Sequence, residues 1–587
     1  MENIKKVAII RHSLSHVMAA AVKEIWPDVK LAIGPAVDNG FYYDFDFGKE
    51  KIKEEDLNRI EKKMKFIIKQ NLKFKKTEIA VDKALEKEKN NGQIYKVELI
   101  QDLKREGEIK VSYYRLGDFE DLCRGPHLKS AGQIAKGSFK LDKLAGAYWR
   151  GDEKNKMLSR IYGIAFKGKD ELDEYAKMLV EAERRDHRKL GKEMDLFSVS
   201  EKVGPGLILW HPKLAKVREA IESFWREFHR RRGYDIIYTP HIGRAELWKT
   251  SGHLDFFKES MYSPMDIEGE EYFVKPMNCP FHVEIYKSRP RSWREFPLRW
   301  NELGTVYRYE KSGELAGMLR VRGFTQDDAH IMCRADQFID EYREVLQFTI
   351  DMFEVFGFKR EDIKAYIAVR DIKLNKYAGS DKIWNQAEKV VRQVINEFKI
   401  PSEIEEGGAK FYGPSLDLKI KDAIGREWQL STIQLDFNLP EKFNMKYNAP
   451  KGEKQPIMIH RALLGSLERF FAILIEHYGG AFPVWCAPVQ IKFIAVSEKH
   501  IEFCSKLAKE FINHDIRVEI DSSDETVGNK IRKAVKEKAP YILVIGDKEI
   551  KSDKLAVRDR GSNKIREIEK QKLINEITRK IKNRDLN

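Results

Sequence analysis

The sequence predicts a multidomain chain that mixes α+β and α/β folds, and three observations predict it. At 587 residues the chain has room for about three to five domains of roughly 100–200 residues each. With 42% hydrophobic and 11% aromatic residues, it can fill several separate cores. Its helix and strand signals fall into three blocks, the last of which alternates strand and helix cleanly.

The first block runs to about residue 180. Residues 11–26 read as a helix stopped by Pro27. Residues 32–47, rich in Gly, Tyr and Phe, read as strands with turns, and 51–69 as a charged amphipathic helix. Leu172, Tyr175 and Leu179 recur at helical spacing, and the charged stretch 181–192 continues as a helical linker. The second block, 197–486, carries a helix at 212–232 and a strand at 234–238 that ends at Thr239-Pro240. Further strands are expected at 272–275, 298–306 and 319–331, then a short strand at 457–460 leading into a helix at 463–477 that Gly479 and Gly480 end. After a proline-containing hinge at 482–488, the third block reads strand 492–496, helix 501–513, strand 517–520, helix 529–538, and strands 541–545 and 554–558. That rhythm predicts a compact domain with a largely parallel or mixed sheet.

Composition narrows the class. No run of about 18 apolar residues offers a membrane span, and no apolar secretory core follows the basic N-terminus, so a cytosolic protein is expected. Five scattered cysteines, Cys123, Cys279, Cys333, Cys486 and Cys504, argue against a disulfide framework. The formal charge of +14 suits a polyanionic partner such as RNA, and equally a lysine-rich solvated surface. There is no internal repeat or low-complexity tract.

Two constellations carry chemistry. His12 and His16 lie four apart on a predicted helix and so share a face; Cys123 and His127 repeat that spacing far along the chain. Three imidazoles and a thiol suit a tetrahedral metal site or a water-activating site, while spacing alone favours structural histidines. In the second block, Arg308 and Glu310, one residue apart on a strand, would point to the same face before a turn at Lys311. Such a hairpin can hold a nucleotide, with Arg on a phosphate or carboxylate and Glu on an exocyclic amine, or it can be a surface salt-bridge ladder. Arg469, early in an apolar helix, can bind a phosphate or simply face solvent.

Longer motifs add a resemblance. His-Ser-Leu-Ser-His at 12–16, Ala-Ile-Gly-Pro-Ala-Val-Asp-Asn-Gly-Phe-Tyr-Tyr-Asp at 32–44, Leu-Cys-Arg-Gly-Pro-His at 122–127 and Ala-Gly-Ala-Tyr-Trp-Arg-Gly-Asp at 145–152 resemble the editing domain of threonyl-tRNA synthetases. The helix and strand ending at Pro240, the Arg308 hairpin, and His460-Arg-Ala-Leu-Leu-Gly-Ser-Leu-Glu-Arg469 resemble the three motifs of class II aminoacyl-tRNA synthetases. Lys-Pro-Met-Asn-Cys-Pro at 275–280, Arg-Gly-Phe-Thr-Gln-Asp-Asp-Ala-His at 322–330 and Trp-Gln-Leu-Ser-Thr-Ile-Gln-Leu-Asp-Phe at 428–437 are similar to the threonyl enzymes in particular. The resemblance covers nearly the whole chain.

It implies an α+β editing domain at 1–180, a helical linker at 181–196, a class II catalytic domain with an antiparallel sheet flanked by helices at 197–486, and a C-terminal α/β anticodon-binding domain at 487–587. It implies ATP-dependent joining of L-threonine to threonine-specific tRNA through threonyl-adenylate, hydrolysis of mischarged seryl-tRNA, and a homodimer away from membranes. Cys279, His330 and His460 match the ligands of one zinc per subunit, and Asp328 the acceptor of the threonine hydroxyl. Arg308 matches the residue on the α-phosphate and carboxylate, Glu310 the adenine reader, and Arg320 and Arg469 the arginines on the terminal phosphates. Gln326, Tyr412, Gln429 and Gln434 match the substrate pocket, and magnesium accompanies ATP. His12, His16, Cys123 and His127, with Tyr43, Lys96 and Asp121, match the hydrolytic site, a metal there being left open. Glu549 and Arg558 match anticodon readers, and Lys530, Arg532 and Lys533 could contact phosphates.

A second active site has a physical reason. Serine keeps the threonine hydroxyl and lacks one methyl, worth only about 1–3 kcal/mol of discrimination, so hydrolysis must supply the rest. Three departures stand out. By the resemblance, the chain is expected to start directly at the editing block, without the small β-rich domain of many relatives; Ser415 follows Phe-Tyr-Gly-Pro at 411–414 where the family often has lysine; and Asp524 stands where some relatives have asparagine. Two rival readings are another class II specificity, such as prolyl or seryl, and a non-catalytic RNA-binding paralogue. Prolyl enzymes lack the zinc triad with Asp328, and a paralogue would favour loss of Arg308, Arg469 or a zinc ligand, all of which are present.

Overall fold

The computed structural model describes residues 2–371, 373, 377, 380–410, 413–562 and 564–586. The chain divides into two compact units, Met1–Val180 and Glu181–Asn587.

In the first unit, the helix Glu2–Ile25 ends before Pro27, which cannot donate to a further turn. Leu14, Val17, Met18 and Ala21 bury its inner face. Together with the helix Glu54–Lys69, which buries Leu57, Ile60, Met64 and Ile67, it covers an antiparallel sheet. That sheet runs Lys30–Leu31, Gly40–Asp46, Met157–Ala165, Phe139–Tyr148, with Ala36–Val37 paired to the second strand. A smaller antiparallel sheet, Phe74–Ala80, Lys110–Leu116 and Phe119–Leu122, packs against the helices Val81–Asn90 and Ile94–Arg105. The amphipathic helix starts at Glu54 rather than 51, because Lys53 N–H donates to Asp56 and caps it there.

The linker is two helices, not one. Lys169–Arg185 stops and Asp186 caps a new helix, His187–Glu193, by accepting Arg188 N–H at 2.8 Å. In the second unit an eight-stranded sheet runs Asp235–Ile236, Leu298–Tyr307, Gly323–Cys333, Ile457–Ser466, Glu427–Asp436, Ser415–Lys421, Ile363–Val369, Ser402–Glu406. It is antiparallel except at its two edges, where the outermost strands pair parallel. The helices Pro212–Arg231, Phe338–Val355 and Leu467–Tyr478 share its large core.

Three expectations fail here in instructive ways. The predicted strand at 234–238 shrinks to Asp235–Ile236, and the one expected from 319 begins at Gly323, because 316–322 form a turn held from several sides. The helix expected from 463 begins at Leu467, and 457–466 is one strand. The cause is Asp327, whose buried carboxylate accepts the N–H groups of Leu463, Leu464 and Gly465 at 3.1, 2.9 and 3.0 Å. These three residues bulge opposite one, and Gly465 adopts φ +72. Only then does Ser466 cap the helix. Gly479 ends it in the left-handed region, as the sequence predicts.

The C-terminal sheet runs Val518–Asp521, Ile491–Ala495, Tyr541–Ile545, Lys554–Asp559, Ile565–Glu569; its first three strands are parallel and the rest antiparallel. The helix Lys570–Asn583, which the sequence reading leaves out, covers it. The 482–488 segment is pinned rather than loose. Arg517 donates to Trp485 and Ala487 carbonyls at 2.7 and 2.8 Å, Arg560 to Phe482 at 2.8 Å, and Gln490 to Val484 at 2.7 Å.

Candidate active sites

The central strands carry the first site. Antiparallel pairing sets His330 opposite His460, and Cys279 opens the helix Cys279–Lys287 beside them. One ligand atom from each of Cys279, His330 and His460 lies within 4.8 Å of the others, and all three residues are buried. Hydrogen bonds assign the tautomers. Glu302, whose burial opposes ionisation but whose pKa His282 and Lys275 still hold below the usual carboxylate value, accepts from His282 Nε2 at 3.1 Å. His282 Nδ1 is then the acceptor for His330 Nδ1–H at 2.7 Å. His460 Nε2 donates to Asp436 at 2.8 Å. The two remaining nitrogens, His330 Nε2 and His460 Nδ1, lie 3.0 Å apart at hydrogen-bond distance beside the Cys279 sulfur, and, although burial opposes the charge, Cys279 and Asp436 together raise the His460 pKa to about 10. Two imidazoles and a thiol within this reach of one another fit a tetrahedral zinc with an open position.

Beside this cluster opens a cavity of about 710 Å³. Its lining includes Cys279, His460, Arg308, Glu310, Arg320 and Asp328, together with Gln326, Gln429, Gln434 and Arg469. Asp328 is buried, accepts Asn278 Nδ2–H at 3.0 Å, and lies 3.9 Å from His330; burial raises its pKa. Tyr412 lies outside the described residues. Ser415 is buried on its strand opposite Gln434.

Arg308 and Glu310 do not share a strand face: the strand ends at Tyr307, and both sit in the loop beyond it. Arg308 donates to the Pro276 carbonyl at 3.2 Å and lies over the Phe324 ring. Arg320 bridges Glu310 at 2.8 Å and Glu314 at 3.0 Å. Arg469 donates to the Leu319 carbonyl at 3.0 Å, and burial lowers its pKa. All three arginines line the cavity, a complement of charge suited to a polyphosphate.

The first unit holds the second site. His12 and His16 on the long helix meet Cys123 and His127 on the loop after Phe119–Leu122, with all four ligand atoms within 4.8 Å. His12 Nδ1 donates to the Pro126 carbonyl at 3.2 Å, which leaves Nε2 as acceptor 3.2 Å from Cys123 Sγ. His127 Nε2 lies 3.3 Å from the same sulfur. Burial pushes the thiol up to about 11 and lowers all three histidines; His127, crowded also by His16 and His12, falls to about 2. The site therefore gathers imidazoles whose burial favours the neutral form around one thiol, a set able to take a proton from water or to bind a metal. Behind them Lys96 and Asp121 form a buried ion pair at 2.6 Å, and Tyr43 donates to the same carboxylate at 2.5 Å.

In the C-terminal domain, Glu549 accepts Gly546 N–H at 3.0 Å and caps the short helix Asp547–Ile550, while Arg558 lies in the strand Lys554–Asp559. Lys530 does not fit its expected role: it is buried and donates to the Ala495 carbonyl at 2.9 Å, so it faces no phosphate. Arg532 is exposed, and Lys533 pairs with Glu525.

Comparison with known proteins joins these sites to a family. Residues 261–478 match the tRNA synthetase class II core domain (G, H, P, S and T), 487–580 the anticodon binding domain, and 111–162 the threonyl and alanyl tRNA synthetase second additional domain. A threonine–tRNA ligase of Borreliella afzelii is 49% identical over 577 residues, 98% of each chain. The chain belongs to the threonine–tRNA ligase family. Another threonine–tRNA ligase, from a Sulfurihydrogenibium species, is 50% identical over 95% of this chain and 86% of its own length. The crystal structure of the RNA binding domain of threonyl-tRNA synthetase from Cryptosporidium parvum is similar at a TM-score of 0.64 and 34% identity, covering 67% of this chain and 98% of its own.

Within this threonine–tRNA ligase fold, His282, Glu302, Asp436, Asn278 and Asp327 are the supporting residues that sequence reasoning missed. Each acts through a partner 20 or more residues away; Asn278, Asp327 and Asp436 lie inside the stretches at 275–280, 322–330 and 428–437, but nothing local to those stretches names the partner. The one local signal was a second histidine, His282, three residues after Cys279 on the same helix.

Proposed function

We propose that this chain joins L-threonine to threonine-specific tRNA through threonyl-adenylate, with ATP accompanied by magnesium, and hydrolyses seryl-tRNA made in error. The observation that supports it best is the gathering of one ligand atom each from Cys279, His330 and His460 within 4.8 Å of one another, beside a cavity lined by Arg308, Arg320 and Arg469. Cys279, His330 and His460 would hold the zinc, which supplies a Lewis-acid contact selective for an amino acid bearing both amine and hydroxyl.

The chain's own residues do the remaining work. Asp328 accepts from the threonine hydroxyl, and a site built around that hydrogen bond rejects valine, which would leave the buried carboxylate with Asn278 but without the hydroxyl it is placed to receive. Arg308 orients the α-phosphate and the attacking carboxylate; Arg320 and Arg469 neutralise the phosphates that leave; Glu310 exchanges its Arg320 partner for the adenine amine. Gln326, Gln429 and Gln434 shape the rest of the pocket. Rate comes from positioning and charge neutralisation.

In the editing site, a neutral imidazole takes the proton of the attacking water, and the Lys96–Asp121–Tyr43 cluster holds the wall behind it. We assign 1–180 to editing, 181–196 to the linker, 197–486 to catalysis and 487–587 to anticodon binding, with Glu549 and Arg558 at the anticodon, in a homodimer. Among the described residues no helix is long and apolar enough to cross a membrane, and a cytoplasmic setting follows from the tRNA substrate.

The test is charging of threonine tRNA by the purified protein with threonine, serine and valine in parallel. Charging with threonine alone supports the reading; no charging despite bound zinc sinks it in favour of a non-catalytic RNA-binding role.

A further inference from the structure

We propose that His187, on the linker helix His187–Glu193, is a positioning residue for the nucleotide step, because it holds in place the turn that presents Arg320. The inference rests on the reading of Arg320 and Arg469 as phosphate-binding residues.

Residues 316–319 form a tight turn in which Leu319 N–H donates to the Ala316 carbonyl at 2.9 Å and Gly317 adopts φ +53. Arg320 follows at once. The turn is held from three directions. Met318 is fully buried in the large core of the second unit. The Leu319 carbonyl accepts from Arg469 at 3.0 Å. The Met318 N–H donates to His187 Nε2 at 3.1 Å, and a Cβ placed on Gly317 would lie 2.3 Å from that same nitrogen. The imidazole thus packs directly against the turn backbone, where glycine alone leaves room for it.

His187 is itself fixed. Its Nδ1 donates to Glu476 at 2.7 Å, its backbone N–H reaches the same carboxylate oxygen at 3.0 Å, and the ring stacks on Phe197. The other Glu476 oxygen is bonded by Arg426, which also bridges Asp422. Asp186, His187 and Glu476 have metal-like spacing, but both imidazole nitrogens and both Glu476 oxygens are already committed to protein partners. The cluster is a hydrogen-bond hub. It ties the linker helix, the helix bearing Arg469 and the Arg320 turn into one arrangement. Loss of the acceptor leaves Met318 N–H buried and unsatisfied, and the turn must move to repair it.

The experiment is ATP–pyrophosphate exchange by the full-length protein, with KM read separately for ATP and threonine. His187→Ala is expected to raise KM for ATP about tenfold and to leave KM for threonine unchanged. His187→Gln, whose amide oxygen reaches the Nε2 position, restores it; His187→Asn, which keeps only the bond to Glu476, does not. An unchanged KM for ATP in His187→Ala, or rescue by Asn as good as by Gln, overturns the inference. Arg320→Ala separates it from the reading beneath it. A raised KM for ATP there with none in His187→Ala defeats the positioning role alone, whereas no rise in either defeats the phosphate assignment as well. Should His187→Ala fail to fold, Gly317→Ala probes the same contact from the turn side. It must raise KM for ATP, and an unchanged value there also overturns the inference.

Discussion

His330 and His282 meet through their Nδ1 atoms, 2.7 Å apart, and that one hydrogen bond directs His330 Nε2 toward Cys279 and His460. Glu302 behind His282, and Asp436 behind His460, complete a second layer that orients both imidazoles. Such outer partners typically change metal affinity about 10–100-fold when removed. His282→Phe is therefore expected to weaken zinc retention by about that factor against a graded chelator, with Cys279, His330 and His460 intact. Zinc bound as tightly as in the wild type would show that the tautomer relay has no such role.

Asp328 is buried, with Asn278 as its side-chain hydrogen-bond partner. Asp328→Ala removes a charge-assisted acceptor and is expected to cut kcat/KM for threonine by about 10–100-fold, while ATP binding holds. Because the hydroxyl then has no dedicated partner, discrimination against valine should fall with it. Steady-state activation kinetics on both amino acids decide the point, and an unaltered threonine-to-valine ratio counts against the role given to this carboxylate.

In the first unit Lys96 and Asp121 pair at 2.6 Å with both side chains almost wholly buried. Removing one partner of such a pair costs about 3–5 kcal/mol, since the survivor keeps a buried charge without compensation. Lys96→Met should thus lower the unfolding midpoint and impair seryl-tRNA editing together. A variant with wild-type stability would mean that the pair is more hydrated than its burial indicates.

The histidine cluster also sets a pH dependence. His12, His16 and His127 all have folded values below 6.5, His127 near 2, because burial disfavours the imidazolium. Below pH 6.5 the unfolded chain binds protons that the folded site refuses, so stability is full above that pH and falls as pH drops through it. The loss begins well above the carboxylate range. The protection factors for hydrogen exchange in the 2–25 helix of the intact protein, corrected for the intrinsic rate and followed from pH 8 to 5, should fall below about 6.5, and His127→Gln should blunt the effect. Protection that is flat over this range would indicate that the imidazoles are solvated.

Much of this was legible in the sequence, for a physical reason. The chemistry-bearing residues sit in short contiguous stretches, such as 122–127 and 322–330, whose text carries its meaning locally. What was not legible depends on distant partners. The apolar run 463–464 reads as helix or strand alike, and only Asp327, more than a hundred residues earlier, turns it into a bulged strand. Lys530 reads as a surface cation until the sheet places the Ala495 carbonyl against it. His282 and Glu302 look like ordinary polar residues in sequence and become a relay only when the 298–307 strand lies beside the 279–287 helix. Likewise Arg308 and Glu310 have strand spacing, yet the ladder ends one residue before them.

The most direct test of the account compares wild type with a His12→Ala plus His16→Ala variant in charging threonine tRNA with threonine, serine and valine. The account predicts that both proteins charge threonine, neither charges valine, and seryl-tRNA accumulates only in the variant. Equal accumulation of seryl-tRNA in the two would remove the editing role from the first unit, and failure of the wild type to charge threonine with zinc bound would contradict the account at its centre.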